Sequence, residues 1–94
     1  MIVVRAVFIA KPGNATKLAN QLKAAAAVAN MPRHRVLTDL TGDFNRVVLE
    51  YEVDDLSGFG DRMEEYATSQ ALRDAMKGYT DLWVSGSREL LQVV

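Results

Sequence analysis

The stretch Arg33–Val53, RHRVLTDLTGDFNRVVLEYEV, decides the reading of this chain. Strand-forming residues flank Gly42-Asp43, and glycine in the first of two loop positions suits a type II′ turn. The stretch therefore predicts two antiparallel strands, Arg33–Thr41 and Phe44–Val53, joined as a hairpin. Pairing Thr41 with Phe44 sets Asp39 opposite Arg46, Arg35 opposite Glu50 and Arg33 opposite Glu52, all on one face. Three pairs of opposite charge support that register. The other face receives Val36 with Leu49, Thr38 with Val47 and His34 with Tyr51, and a slip of one residue would exchange the two faces entirely. This second, mostly apolar face is the one a helix should cover.

Upstream, Ile2–Ala10 (IVVRAVFIA) is rich in β-branched residues and ends at Lys11-Pro12-Gly13, which reads as a strand and a turn. From Asn14 the apolar positions Ala15, Leu18, Ala19, Leu22, Ala25, Ala26 and Ala29 recur at helical spacing, with Asn14 placed to cap the helix and Pro32 to stop it. An alanine face lets a helix lie close to a sheet but contributes little buried area. Downstream, Leu56, Phe59, Met63, Tyr66 and Ala67 follow a helical period that shifts phase at Thr68-Ser69, then resumes at Leu72, Ala75, Met76 and Tyr79. That is the signature of two helical pieces with a break. Gly78 should end the second piece, and Trp83–Val94 should form a last strand with Gly86 as a bulge or a point of close approach. The order is β-α-β-β-α-β, an α+β domain spanning 1–94 as a single unit. Its four-stranded antiparallel sheet should carry both helices on one face.

A chain of 94 residues can fold as one domain, but one this small buries roughly 60 to 65% of its unfolded surface, so the core is thin. Acidic and basic residues are interspersed and the formal charge is −1, which leaves no basic footprint for a nucleic acid. There is no cysteine, so thiolate catalysis and thiolate metal sites are excluded, and the sole histidine argues against a dedicated metal centre. The apolar runs are too short for a membrane span or a signal sequence, so a cytoplasmic location with no membrane partner is expected. The outer strands are apolar on both sides: Val3, Val7 and Ile9 oppose Ile2, Val4, Ala6 and Phe8, and Leu91 and Val93 oppose Leu90 and Val94. Two helices cover only one face of a sheet. The other, if left to water, is an apolar patch of the kind a homodimer buries.

These features together carry a family resemblance. Lys11-Pro12-Gly13 opens the first helix, Gly42-Asp43-Phe44-Asn45-Arg46-Val47-Val48 forms the hairpin, Tyr51-Glu52 ends the third strand, and the second helix is long and broken. In these respects the chain resembles the dimeric α/β-barrel superfamily, specifically its NIPSNAP-like members. The resemblance implies two ferredoxin-like sheets facing each other as a barrel with the helices outside. It also implies a range of activities, among them cofactor-free oxygenases, polyketide cyclases, haem-degrading enzymes and lactone isomerases, beside proteins with no known activity. Catalytic residues differ between those groups, and no motif here transfers one.

The residues themselves offer a small set of candidates. His34 is the one side chain that ordinarily titrates near neutral pH, and the register sets it across from Tyr51, so a base and a phenol could act together as catalytic residues. The bland alternative is a strand-end histidine meeting water. Tyr66, Trp83 and Phe59, with Tyr79, could line a ligand pocket between the second helix and the sheet, or simply fill the space that the alanine helix leaves. Two functions follow. One is a domain that binds a small organic molecule without a cofactor, as a binding protein or an enzyme of cyclase, isomerase or monooxygenase type. The other is a non-catalytic homo-oligomeric structural or regulatory module.

Overall fold

Strand β1 (Ile2–Ala10) lies inside the sheet, bonded on one side to β3 (Arg46–Val53) and on the other to β4 (Trp83–Gln92). The short β2 (Arg35–Thr38) flanks β3, so the order across the sheet is β2-β3-β1-β4 with every neighbour antiparallel. Helix α1 (Ala15–Val28) and the two pieces α2 (Leu56–Thr68) and α3 (Gln70–Ala75) pack on one face. The fold, seen in a computed structural model that describes residues 1–94, is ferredoxin-like α+β. No helix is long and apolar enough to cross a membrane.

The hairpin register is the one its charges indicate: Arg35 pairs with Glu50, Val36 with Leu49 and Thr38 with Val47. The strands are nevertheless shorter than expected. Asp39 N–H still reaches the Arg46 carbonyl at 3.3 Å, but beyond it the chain leaves the ladder, and Leu40 and Phe44 stand in solvent. The Asp39 carboxylate accepts the Arg46 backbone N–H at 2.9 Å instead of pairing with its guanidinium, and Asn45 takes a left-handed φ of 64°. A wider loop thus replaces the two-residue turn. At the other end, Pro32 has no N–H and Arg33 has a φ of 49°, so β2 begins only at Arg35 although Arg33 still meets Glu52 at 3.3 Å.

Helix α1 stops through its own backbone rather than at the proline. Asn30 adopts a φ of 50°, its N–H bonds the Ala27 carbonyl and the Met31 N–H bonds that of Ala26, which is a Schellman ending. Asn14 occupies the capping position but makes no side-chain cap bond. At the start of α2 the Asp55 carboxylate accepts the Gly58 N–H at 2.8 Å. The phase shift at Thr68-Ser69 is a real break: Ser69 is extended (ψ 114°) and its hydroxyl accepts the Leu72 N–H at 3.2 Å, starting α3. After α3 the left-handed Gly78 (φ 79°) leads into a 3-10 turn, Tyr79–Leu82, that hydropathy did not reveal. Gly86 is the point of close approach, since a Cβ there would stand 3.3 Å from the Phe8 ring. The bulge falls elsewhere, at Val84, because Ile9 pairs with Ser85 while Ala10 pairs with Trp83.

Burial follows the alternation along β1. Val4 faces the helices with Leu18, Leu22, Val47 and Tyr51, all buried. Val3, Arg5, Val7 and Ile9 face outward beside Val48 and Glu50. On that outer face Glu50 receives Arg35 at 2.7 Å and Arg5 at 3.0 Å, and Arg5 also reaches Glu89 at 3.5 Å. Glu50 is shielded by the flanking guanidiniums rather than by depth. Loss of hydration works against its charge, but hydrogen bonds from Arg35 and Arg5 outweigh that and hold its carboxyl below the ordinary 4.5.

Candidate functional site

Between the helices and the sheet lies a cleft of about 440 Å³. Its floor is Val4, Ala6 and Phe8 of β1 with Leu49 and Tyr51 of β3; Leu22 and Ala25 of α1, Met63 and Tyr66 of α2, Leu72 of α3, and Met76 and Tyr79 beyond it enclose it. The space exists for two local reasons. Ala6 and Ala25 present methyl groups where larger side chains would fill the gap. The Ser69 break also redirects the chain, so that α3 runs against α1 while α2 stays beside β3. Gln21 fixes that placement by donating its side-chain amide to the carbonyls of Ala75 (3.1 Å) and Lys77 (2.8 Å). Arg62 similarly donates to the Ala29 carbonyl at the end of α1 (3.1 Å) and pairs with Glu65.

Two phenols meet in this cleft. Tyr51 is 2% exposed and its buried hydroxyl has no hydrogen-bond partner. The Tyr66 hydroxyl donates to the Met31 sulfur at 3.1 Å. Burial pushes both phenols above their ordinary value; the nearness of the two hydroxyls raises Tyr66 further and draws Tyr51 back, and Arg88 and Arg62 draw both back. The two hydroxyls influence each other without forming a hydrogen bond of sound geometry. At neutral pH both keep their protons and serve as donors.

The charged groups lining the cleft are Arg73 and Arg88. Arg73 donates to the Ala67 carbonyl. Arg88 sits over the Phe59 ring, 5.7 Å from its centroid, and makes no ion pair. An aromatic cluster adjoins this space: Phe8 is 5.5 Å from Trp83 and 6.3 Å from Tyr79, ring centre to ring centre, and the buried Trp83 indole N–H is also without a partner.

Of the expected residues, Tyr51, Tyr66 and Tyr79 line the cleft, Phe59 and Trp83 lie beside it without lining it, and His34 stands apart. Tyr51 and Tyr66 share the cleft, Phe59 supports Arg88 beside it, and Trp83 contacts Phe8 of its floor. His34 is parted from them. It is exposed, its Nδ1 lies 2.8 Å from the Met31 carbonyl, and it does not line the cleft. Arg33 turns left-handed just before it and β2 starts just after it, so the pairing with Tyr51 that a continuous strand would give does not put the two side chains in one cavity. Arg88 went unremarked in the sequence, though alternation along the last strand places it on the inner face with Leu90, where a charge is unusual. Chemically, the cleft offers proton donors and positive charge to an apolar body. No carboxylate, histidine or lysine lines it.

Fold and cleft together define a ferredoxin-like domain with a ligand-sized space between its helices and its sheet. Among solved structures the chain shares this fold with NIPSNAP domain proteins. One from Burkholderia xenovorans superposes with a TM-score of 0.85 at 16% identity, covering 100% of this chain and 95% of that one. A NIPSNAP family protein from Agrobacterium tumefaciens gives 0.83 at 13% identity, covering 99% and 92%. An antibiotic biosynthesis monooxygenase gives 0.75 at 13% identity, covering 100% and 99%. At such identities the likeness is one of fold. No family model matches the chain, and no curated protein matches it in sequence.

Proposed function

We propose that this chain binds a small organic molecule in the cleft between its helices and its sheet, with cofactor-independent chemistry of cyclase, isomerase or monooxygenase type as the activity class. The reading rests chiefly on the Tyr51 hydroxyl. A buried O–H left without a partner costs about 1–3 kcal/mol, which phenylalanine at that position would avoid, and here it adjoins a cavity within the size range of ligand sites. An acceptor atom on a bound molecule satisfies it. The likeness in fold to a monooxygenase of antibiotic biosynthesis supports the activity class, and with no side-chain base in the cleft a substrate must arrive ionised or lose its proton elsewhere.

The outer face of the sheet supports a homodimer in the same reading. Val3, Val7, Ile9 and Val48 form an apolar strip there, flanked by Leu37 and Leu91 at 38% and 40% exposure, and the face mixes Arg35 and Arg46 with Glu52 and Glu89 in a way that suits a like copy. Titration of 15N-labelled protein with naphthalene-2-carboxamide tests the binding site. Shifts at Ala6, Ala25, Tyr66 and Gly86 amides are expected; shifts confined to Val7, Leu37 and Leu91, or none, would remove the cleft from consideration.

A further inference from the structure

We infer that the ligand of this cleft is an anion, a flat apolar body bearing a carboxylate or enolate oxygen that is held between the Arg88 guanidinium and the Tyr51 hydroxyl. The inference rests on the cleft reading and adds the chemical class of its occupant. Its first support is the charge inventory, for two arginines and no acid line a space that is otherwise apolar apart from the three phenols of Tyr51, Tyr66 and Tyr79. A neutral apolar ligand would gain nothing from a guanidinium there, and a cationic one would be repelled.

The second support is the contrast between Arg88 and the arginines around it. Arg5, Arg33 and Arg35 all pair with glutamates, and Arg62 pairs with Glu65. Neither arginine of the cleft has a carboxylate partner: Arg73 donates to the Ala67 carbonyl, while the solvent-exposed Arg88 makes no side-chain hydrogen bond of its own, because alternation sends its neighbour Glu89 to the outer face to meet Arg5. What Arg88 does have is the Phe59 ring, which braces the guanidinium without neutralising it. A held and unneutralised cation beside an apolar cleft is an anion-recognising group.

The third support is the spacing of the two donors. Arg88 lies opposite Ala6, Ala6 lies opposite Leu49, and Tyr51 is two residues along β3 from Leu49 on the same face. The inner-face residues of β1 between them are Ala6, beside Arg88, and Val4, beside Tyr51, and the alanine leaves the space next to the guanidinium open. Tyr51 is 2% exposed with a free O–H, so it adds a directed donor to the charge of Arg88. Burial keeps that proton in place at neutral pH, as donation to an anion requires.

A matched pair of probes isolates the charge. Naphthalene-2-carboxylate and naphthalene-2-carboxamide share one ring system and differ chiefly in ionisation, and their amide-shift titrations read both affinity and location. The carboxylate should bind about tenfold more tightly, the difference expected of one charge-assisted hydrogen bond. Arg88→Gln should bring its affinity down to that of the amide and leave the amide unchanged, whereas Arg88→Lys should keep most of the preference. Tyr51→Phe should weaken both probes by a smaller factor, about threefold, since the hydroxyl donates to either oxygen. Equal affinities in the unaltered protein, or an Arg88→Gln variant that weakens both probes alike, would overturn the inference while leaving the cleft reading intact. Failure of both probes to shift the cleft amides would overturn the two together.

Discussion

Filling the cleft from the helix side gives the most decisive perturbation. Ala25 is 2% exposed and faces the 440 Å³ space from α1. Ala25→Leu adds three carbons, worth about 2.4 kcal/mol if fully buried at about 0.8 kcal/mol each. The cleft is open on one side, so about half of that, ~1 kcal/mol of added stability, is expected. Helix propensity does not offset it, because leucine ranks close to alanine. Had the region been close-packed, the same change would destabilise by about 1–3 kcal/mol through overpacking. The sign of the effect therefore reports whether the space is real. Urea unfolding followed by circular dichroism supplies the free energy, and the melting temperature should rise by about 4–8 °C, the shift that ~1 kcal/mol gives in a domain of this size. The variant should also lose affinity for naphthalene-2-carboxamide, since leucine occupies the probe's space. A destabilised variant that still binds the probe normally would refute the reasoning at both points.

Glu50→Gln should cost about 1 kcal/mol at pH 7, a modest figure because Arg35 remains largely exposed. The lowered carboxyl of Glu50 means this stability is full above the ordinary 4.5 and fades as pH falls through the lowered value, so wild type and variant should converge in acid unfolding below pH 4.5. Gly78→Ala places a side chain at φ 79° with nothing within 4 Å of the new Cβ, so its cost, about 1–2 kcal/mol, should be purely conformational and visible in thermal unfolding. If two copies pair through the outer face as proposed, light scattering should give about twice the 10.4 kDa chain mass for the unaltered protein and the chain mass for Val7→Lys, with circular dichroism unchanged. His34→Ala should leave probe affinity unaltered and shift stability by less than about 0.5 kcal/mol, because that ring is exposed outside the cleft.

The register of β2 on β3 was legible because it is over-determined: charges on one face and apolar residues on the other agree on a single alignment. The break at Ser69 was legible as a change of phase, and Gly86 as a glycine in a strand. The extent of the hairpin was not. Gly42-Asp43 has the chemistry of a tight turn, but the Asp39 carboxylate captures the Arg46 N–H and ends the ladder early, a local competition that pattern does not rank. Tyr51 and Tyr66 could be named from their spacing, whereas the removal of His34 depends on the φ of Arg33, and periodicity carries no information about a single positive φ. Arg88 was readable in principle from alternation alone.

The cleft is also a cost to the fold, and that ties stability to occupancy. Only 18 of 94 residues are buried, and besides Leu18 and Leu22 helix α1 contributes only alanine methyl groups to that core. Two buried donors, Tyr51 O–H and Trp83 indole N–H, stand without partners, each at a cost of about 1–3 kcal/mol against the 5–15 kcal/mol typical of a whole domain. Replacing Tyr51 by phenylalanine should accordingly stabilise the empty protein even as it weakens binding, the usual opposition between a prepared site and a settled core. A molecule that binds only the folded chain reverses the deficit by mass action, adding about 2.7 kcal/mol at one hundred times its dissociation constant. The empty domain is thus the less stable form, and the rise in melting temperature on ligand addition should be smaller in the Tyr51→Phe variant than in the unaltered chain.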